Sequence, residues 1–102
     1  MAVAEVSVVP VGTRTASVSS YVAHCIKILT ESGLAFELNP MGTVIAGEPD
    51  ETLEVVAKMH EGTFGDGVLR VLTTLKIDDR RDKTLTMSGK LEAVRSQLKR
   101  GD

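Results

Sequence analysis

The chain has 102 residues, of which 42% are hydrophobic and 25% charged, and its formal net charge is −2. This size fits a single modest core, and the lack of a basic excess argues against a nucleic-acid-binding protein. No apolar run reaches the about 20 residues of a membrane span, and no basic region followed by an apolar run opens the sequence. We therefore expect no nucleic-acid or membrane partner and, because the one cysteine permits no internal disulfide, a cytoplasmic location.

The first half of the chain predicts a strand, a helix and a second strand. Residues 3–9 (VAEVSVV) are rich in valine and partly alternate, which favours a strand. Apolar residues at helical spacing then indicate a helix with Ser17 as its N-cap and Gly33 at its end. Residues 34–39 (LAFELN) alternate again as a strand. The inward residues of this strand are predicted to be Leu34, Phe36 and Leu38.

The second half predicts a strand, a helix, a strand and a last helix. Residues 43–46 begin a return strand, and Glu48-Pro49-Asp50-Glu51 opens a helix with acidic residues in its first turn. Residues 68–77 alternate strongly as a strand, and a charged stretch at residues 78–83 leads into the terminal helix. The predicted apolar face of the middle helix is Leu53, Val56, Ala57, His60 and Phe64. The predicted stripe of the last helix is Met87, Leu91, Val94 and Leu98.

The order β-α-β-β-α-β plus a terminal helix predicts a ferredoxin-like α/β (α+β) sandwich, as a single domain over residues 1–102. Right-handed crossovers place both main helices on one face of a four-stranded antiparallel sheet. The opposite face is predicted to carry Glu5, Ser7, Arg70, Leu72, Thr74 and Lys76. This half-apolar face either meets another copy of the chain or is partly covered by the third helix.

A short motif occurs twice, as Pro10-Val11-Gly12-Thr13 and as Pro40-Met41-Gly42-Thr43. Each copy follows a predicted strand, and proline and glycine shape the backbone where strand pairing stops. Each copy therefore predicts either a turn or a small polar-ligand site with a threonine hydroxyl beside it.

The predicted topology separates the two copies. We expect the first and third strands to lie side by side and parallel, with the copies at opposite ends of the sheet. The end with residues 10–13 is expected to hold both helix N-termini, Arg70 and residues 46–48, which together suit a small polar ligand. The other end is expected to pair the residue 40–43 turn with residues 78–81, in ion pairs that fix a terminal segment or a subunit contact.

The candidate chemical groups favour binding or assembly over catalysis. His24 and His60 have no second ligand at metal-binding spacing, and His60 is predicted to be half-buried and hydrogen-bonded. Cys25 is predicted to be a structural thiol among aliphatic residues. The sequence has no phosphate-binding glycine loop and no nucleophile elbow, so we expect no cofactor, no metal and no enzymatic activity.

Several motifs together resemble the small thiamine-binding protein family over nearly the full length. They are Val8-Val9-Pro10-Val11-Gly12-Thr13, Ser19-Ser20-Tyr21-Val22-Ala23, Pro40-Met41-Gly42-Thr43, His60-Glu61, Arg70-Val71 and the run from Lys76 to Lys83. The resemblance implies a ferredoxin-like fold, a homotetramer of dimers paired through their sheets, and binding of thiamine or its pyrimidine part. Members commonly carry a glutamate where this chain has Ala46, which leaves Glu48 as a substitute two positions away.

Six residues are predicted to contact such a ligand. Backbone and hydroxyl contacts are assigned to Gly12, Thr13, Ser19 and Thr43, and Asn39 and Arg70 are the polar anchors. The Asn39 amide can donate and accept at an aminopyrimidine edge, although an Asn before proline also stabilises a turn. Helix N-termini would favour thiamine phosphates over the cationic vitamin. The alternative function is a structural or regulatory assembly protein without a small-molecule ligand.

Overall fold

The computed structural model describes residues 1–13, 19–65, 67–82 and 86–100, and every predicted helix and strand is present in them. The elements are β1 (Ala2–Val11), α1 (Ser19–Ser32), β2 (Ala35–Asn39), β3 (Gly42–Gly47), α2 (Pro49–Thr63), β4 (Arg70–Asp79) and α3 (Met87–Arg100). The predicted N-cap Ser17 lies outside the described residues. No helix in the described ranges has the length and apolar character needed to cross a bilayer.

The four strands form one antiparallel sheet in the order β2-β3-β1-β4, the topology of a ferredoxin-like fold. Strands β1 and β3 are neighbours, as expected, but the prediction that they run parallel is wrong. The crossover through α1 makes β2 parallel to β1, and the hairpin from β2 then reverses the chain, so β3 must run against β1. Val6 therefore faces Thr43, and Ala2 faces Gly47.

This strand direction corrects the predicted ends of the sheet. Both motif copies lie toward the same end, because β3 begins beside the middle of β1, at Val6, and runs back toward Ala2. Arg70 joins them as predicted, opposite Val11. The exit of β3 and the start of α2 lie at the other end, where Gly47 and Asp79 both face Ala2. The charged residues after β4 therefore adjoin the start of α2, not the residue 40–43 turn.

Aliphatic side chains from the sheet and both main helices form the core. Alternate residues of β1 point into it, with Val6 and Val8 buried beneath α1 and α2. Phe36, Val71 and Leu75 pack against it from the other strands. The buried cluster consists of Val6, Val8, Cys25, Leu29, Ile45, Val55, Val56 and Met59. Cys25 is thus a buried member of an aliphatic core, as predicted.

Two predicted apolar faces are wrong in detail. Leu38 is 59% exposed, because β2 is an edge strand and its end extends past the core. On α2 the buried stripe is Thr52, Val55, Val56, Met59 and Thr63, while Leu53 is 52% exposed. The predicted face is displaced by one residue from the buried stripe, so it missed Val55 and Met59 as well as the two threonines. Thr63 fits in the core because its hydroxyl donates to the Met59 carbonyl at 2.8 Å.

His60 is half-buried and hydrogen-bonded, as predicted. Its Nδ1 lies 2.7 Å from the Thr73 Oγ1 on β4. Its ring also meets Phe64 edge to face, with the ring centroids 5.4 Å apart. These contacts join α2 to β4 and give His60 a packing role in the sandwich.

The face of the sheet away from α1 and α2 carries the predicted alternate residues of β1 and β4 and is partly covered by the first turn of α3. Thr86 caps this helix, since its Oγ1 accepts from the Gly89 N–H at 2.9 Å. Lys90 forms an ion pair with Asp78 at the end of β4. Beyond this turn the apolar stripe of α3 is exposed, at Leu91, Val94 and Leu98.

The glycines of the two motif copies are required for different physical reasons. Gly12 has φ +79, a left-handed conformation, and an added Cβ would meet nothing within 4 Å. Gly42 lacks a positive φ, but a Cβ there would lie 3.1 Å from the Val6 backbone oxygen. Backbone conformation selects the first glycine, and close approach of β3 to β1 selects the second.

Because of this difference, we expect alanine and asparagine substitutions to change the free energy of unfolding differently at the two glycines. Gly12→Ala should lower the free energy of unfolding by about 1 kcal/mol, and Gly12→Asn by less, because asparagine visits the left-handed region. Gly42→Ala should cost about 1–3 kcal/mol through crowding, and Gly42→Asn at least as much. Urea denaturation followed by circular dichroism measures all four. An equal cost for Asn and Ala at position 12 would contradict the explanation.

Candidate functional site

Cavities on both faces of the sheet border Asn39, the last residue of β2. One, the open-face cavity, has a volume of about 540 Å³ and lies between the uncovered face and the start of α3. Its lining is Val3, Ala4, Glu5, Glu37, Asn39, Val44, Lys76, Ile77, Asp78, Met87, Lys90 and Leu91. The other, the turn groove, consists of two adjoining cavities that share Val22, Leu38, Asn39 and Pro40.

Strand register builds the floor of the open-face cavity. Val44 on β3 faces Glu37 on one side and Glu5 on the other. Glu5 in turn faces Lys76 on β4, so a row of side chains crosses all four strands. Since residues paired across strands point to the same side, an apolar centre at Val44 is flanked by charged groups.

The first turn of α3 forms the roof. Met87 is half-buried there, and Leu91 adds a second apolar side chain over the floor. The ion pair between Lys90 and Asp78 ties the helix to the end of β4. The site is therefore an apolar slot whose edges are polar.

The charged side chains that line the cavity differ in whether they form ion pairs. Lys76 Nζ lies 3.9 Å from Glu5 Oε1, and Lys90 pairs with Asp78. Among the described residues, no cation lies within ion-pair distance of Glu37. The Glu37 carboxylate is therefore available to a hydrogen-bond donor or a cation from a ligand.

The turn groove lies on the helix side of the hairpin between β2 and β3. Ser19, at the start of α1, borders its outer part, and Thr43, only 6% exposed, borders its inner part. Asn39 borders both parts. Its walls are mainly apolar, and the buried Cys25 lies at its base.

The six residues predicted to contact a ligand thus fall into two groups. Ser19, Asn39 and Thr43 adjoin the turn groove, and Asn39 also lines the open-face cavity. Gly12, Thr13 and Arg70 line neither, because they lie at the far ends of β1 and β4.

Glu37 was not among the residues predicted to contact a ligand. Glu5 and Lys76 were predicted to lie on the uncovered face, but not to line a cavity. The alternation of residues 34–39 contained a signal, because inward Phe36 makes its neighbour Glu37 face the other side. The roof had no such signal, since the position of α3 over the sheet depends on contacts distant in sequence.

The Cys25 thiol is expected to ionise only at high pH. Burial raises its pKa above the ordinary value of 9.0, while a hydrogen bond with the Thr63 hydroxyl, at 3.7 Å, lowers it by less. At pH 8 the folded protein should react with a thiol reagent far more slowly than the urea-unfolded chain. Because the unfolded thiol ionises first, unfolding free energy should fall as pH rises past about 9.

The variant Cys25→Ala measures how much the thiol contributes to the pH dependence of the free energy of unfolding. This variant should be less stable at neutral pH, because it leaves space in the core, but its stability should depend less steeply on pH above 9. Equal reaction rates for folded and unfolded wild-type protein would contradict the buried assignment.

The sheet, its single helical layer and the cavity opposite define a ferredoxin-like α/β sandwich with room for a small molecule. The profile described as "Thiamine-binding protein" matches residues 4–95. The chain therefore belongs to the thiamine-binding protein family.

Relatives cover almost the whole chain. It is 44% identical to the UPF0045 protein YqgV of Bacillus subtilis, over 96% of this chain and 98% of that one. It is 41% identical to a UPF0045 protein of Methanothermobacter thermautotrophicus, over 96% of this chain and 100% of that one.

Solved structures share the fold. A hypothetical protein of Methanocaldococcus jannaschii, MJ1052, superposes with a TM-score of 0.84 at 43% identity, over 91% of this chain and 94% of that one. A Thermotoga maritima protein, proposed to act in thiamine biosynthesis or salvage, has a TM-score of 0.75 at 19% identity. That match covers 91% of this chain and 97% of the other, and it supports the fold alone.

Proposed function

We propose that this protein binds thiamine, a related aminopyrimidine or a thiamine phosphate in the open-face cavity, without turnover and as a cytoplasmic homo-oligomer. The observation that carries the proposal is the Glu37 carboxylate beside the Asn39 amide, at the edge of an apolar floor, in a member of the thiamine-binding family.

Glu37 and Asn39 match the polar edge of an aminopyrimidine. They are two residues apart on one strand, so their side chains leave the same face about 7 Å apart. A carboxylate accepts from the exocyclic amino group, and an amide both donates and accepts. The carboxylate also attracts the positive thiazolium ring.

The apolar slot suits the flat rings. Val44 provides the floor, and Met87 and Leu91 cover it, so a bound ring loses water on both faces. A volume of about 540 Å³ lies within the range of small-molecule sites.

The proposed site contains a carboxylate, that of Glu37, although residue 46 is alanine. Ala46 faces Val3 and Ala35, one row along the sheet from Glu37, and a diagonal neighbour of this kind lies about 7–8 Å away. The Glu37 side chain therefore lies on the same face of the sheet as the side chain of a glutamate at position 46 would. Glu48 is a poorer substitute, because it follows the end of β3 and does not line the cavity.

Calorimetric titration with thiamine tests the site. Wild-type protein should bind at or below millimolar ligand, and Glu37→Gln should weaken binding by roughly 10-fold or more, as expected for loss of a charged hydrogen bond. Asn39→Ala should weaken it by less, because its bond is neutral. Glu31→Gln, an exposed glutamate on α1, is the matched control and should bind as wild type. No heat from thiamine, its phosphates or the free pyrimidine at millimolar ligand would overturn the proposal.

The exposed apolar residues favour a second candidate function, in assembly. Leu72 is 56% exposed on the uncovered face, and Val9 faces it across the β1–β4 pair. Leu91, Val94 and Leu98 on α3 extend the apolar surface. The same surface supports the proposed homotetramer paired through the sheets. In the first proposal the tetramer also binds a ligand, whereas in the second its only function is assembly.

Light scattering is expected to give the mass of a tetramer. Leu72→Glu should reduce that mass, because a charge on the uncovered face opposes pairing, while circular dichroism stays unchanged. Leu53→Glu is the matched control, since Leu53 is 52% exposed on the other side of the molecule. A monomeric wild type would contradict the tetramer. A tetramer that binds no thiamine form would favour the assembly function.

A further inference from the structure

The two ends of the open-face cavity differ in their charged groups: the ammonium groups of the described lining lie only on the β4 side, where each is paired with a carboxylate, Lys76 with Glu5 and Lys90 with Asp78. Glu37 and Asn39 lie on β2, at one edge of the sheet, while Lys76 lies on β4, at the other. Three strand spacings separate these edges, which is about 14 Å. Lys90, from α3, lines the cavity and pairs with Asp78 on β4, so a second ammonium group lies on the same side.

Lys76 is free to turn toward a ligand. Its side chain is 83% exposed, and its contact with Glu5, at 3.9 Å, is near the limit of an ion pair. A pair this exposed contributes little to stability, so an anion with higher charge can displace the glutamate at low cost. Lys90 pairs with Asp78, so its ammonium group lies at the rim of the cavity on the β4 side.

Helix α3 adds to the positive potential at the cavity. It has no acidic residue in its first turn, so nothing on the helix itself offsets the positive end of its dipole. Met87 and Lys90 of that turn line the cavity. The dipole of α3 adds less positive potential at the cavity than the two lysines do.

From this arrangement we infer that the ligand of the open-face cavity is a phosphate ester of the aminopyrimidine compound, with its ring at Glu37 and Asn39 and its phosphate at Lys76 and Lys90. The inference rests on the proposed function and names the ligand form that the site prefers. A free hydroxyl at the β4 side would accept hydrogen bonds from the lysines but bring no charge. A phosphate brings negative charge and several acceptor oxygens to two ammonium groups.

Calorimetry with thiamine and thiamine monophosphate, on wild type and variants, tests the inference. Wild type should bind the monophosphate roughly 10-fold or more tightly than thiamine, as expected for a charge-assisted hydrogen bond. Lys76→Gln should remove most of this preference, because it should weaken binding of the monophosphate far more than binding of thiamine. Lys76→Arg should retain the preference. Lys58→Gln, which removes an exposed lysine of α2, is the charge-matched control and should change neither affinity.

The salt dependence provides a second measurement. The preference for the monophosphate should shrink between about 50 and 500 mM salt, because exposed ammonium groups are screened. In Glu37→Gln both ligands should weaken while the preference remains, since the two ends of the cavity act on different parts of the ligand.

Equal affinity for thiamine and its monophosphate would overturn the inference and leave the proposed function intact. Loss of both affinities together in Lys76→Gln would also overturn it, because the lysine would then act on the ring or on the fold. Absence of binding by either ligand to wild type would overturn the inference and the proposed function together.

Discussion

The pairing of β1 on both of its edges is the constraint on which the rest of the structure depends. Its first residues hydrogen-bond to β3, and its whole length pairs with β4. These two registers bring Glu5 between Val44 and Lys76, although the three residues are far apart in sequence. The same strand directs Val6 and Val8 into the core. A shift of β1 by one residue would therefore exchange core and cavity side chains and destroy both.

The two faces of the sheet have separate roles because they are covered differently. Helices α1 and α2 bury one face in aliphatic packing, which holds the strand positions firmly. The other face is covered only in part, by the first turn of α3 and its ion pair with Asp78. That partial cover leaves apolar surface beside Glu37, a carboxylate with no ion-pair partner among the described residues. The proposed recognition of a flat, charged molecule rests on this combination. Stability thus comes mainly from one face, and the proposed ligand site lies on the other.

The repeated Pro-x-Gly-Thr motif illustrates how one sequence pattern takes two structural meanings. Pro10 lies within β1 beyond the last residue paired with β3, where a missing N–H leaves no gap in that ladder. Gly12 then supplies a left-handed turn. In the second copy the proline belongs to the hairpin turn, and Gly42 begins β3 against the Val6 backbone. Similar residues therefore meet different constraints, backbone conformation in one copy and steric space in the other.

The sequence by itself determined the order of elements, the fold class and which residues share a strand face, because these follow from local periodicity and short-range turn chemistry. It also identified Asn39 as a polar residue at the end of a strand. Only the tertiary structure decided that β3 runs antiparallel to β1, that α2 packs through Thr52 and Thr63, and that the start of α3 borders the same cavity as Glu37 and Val44. Strand direction, helix rotation and the roof of the cavity depend on contacts between distant segments, and no local pattern encodes such contacts.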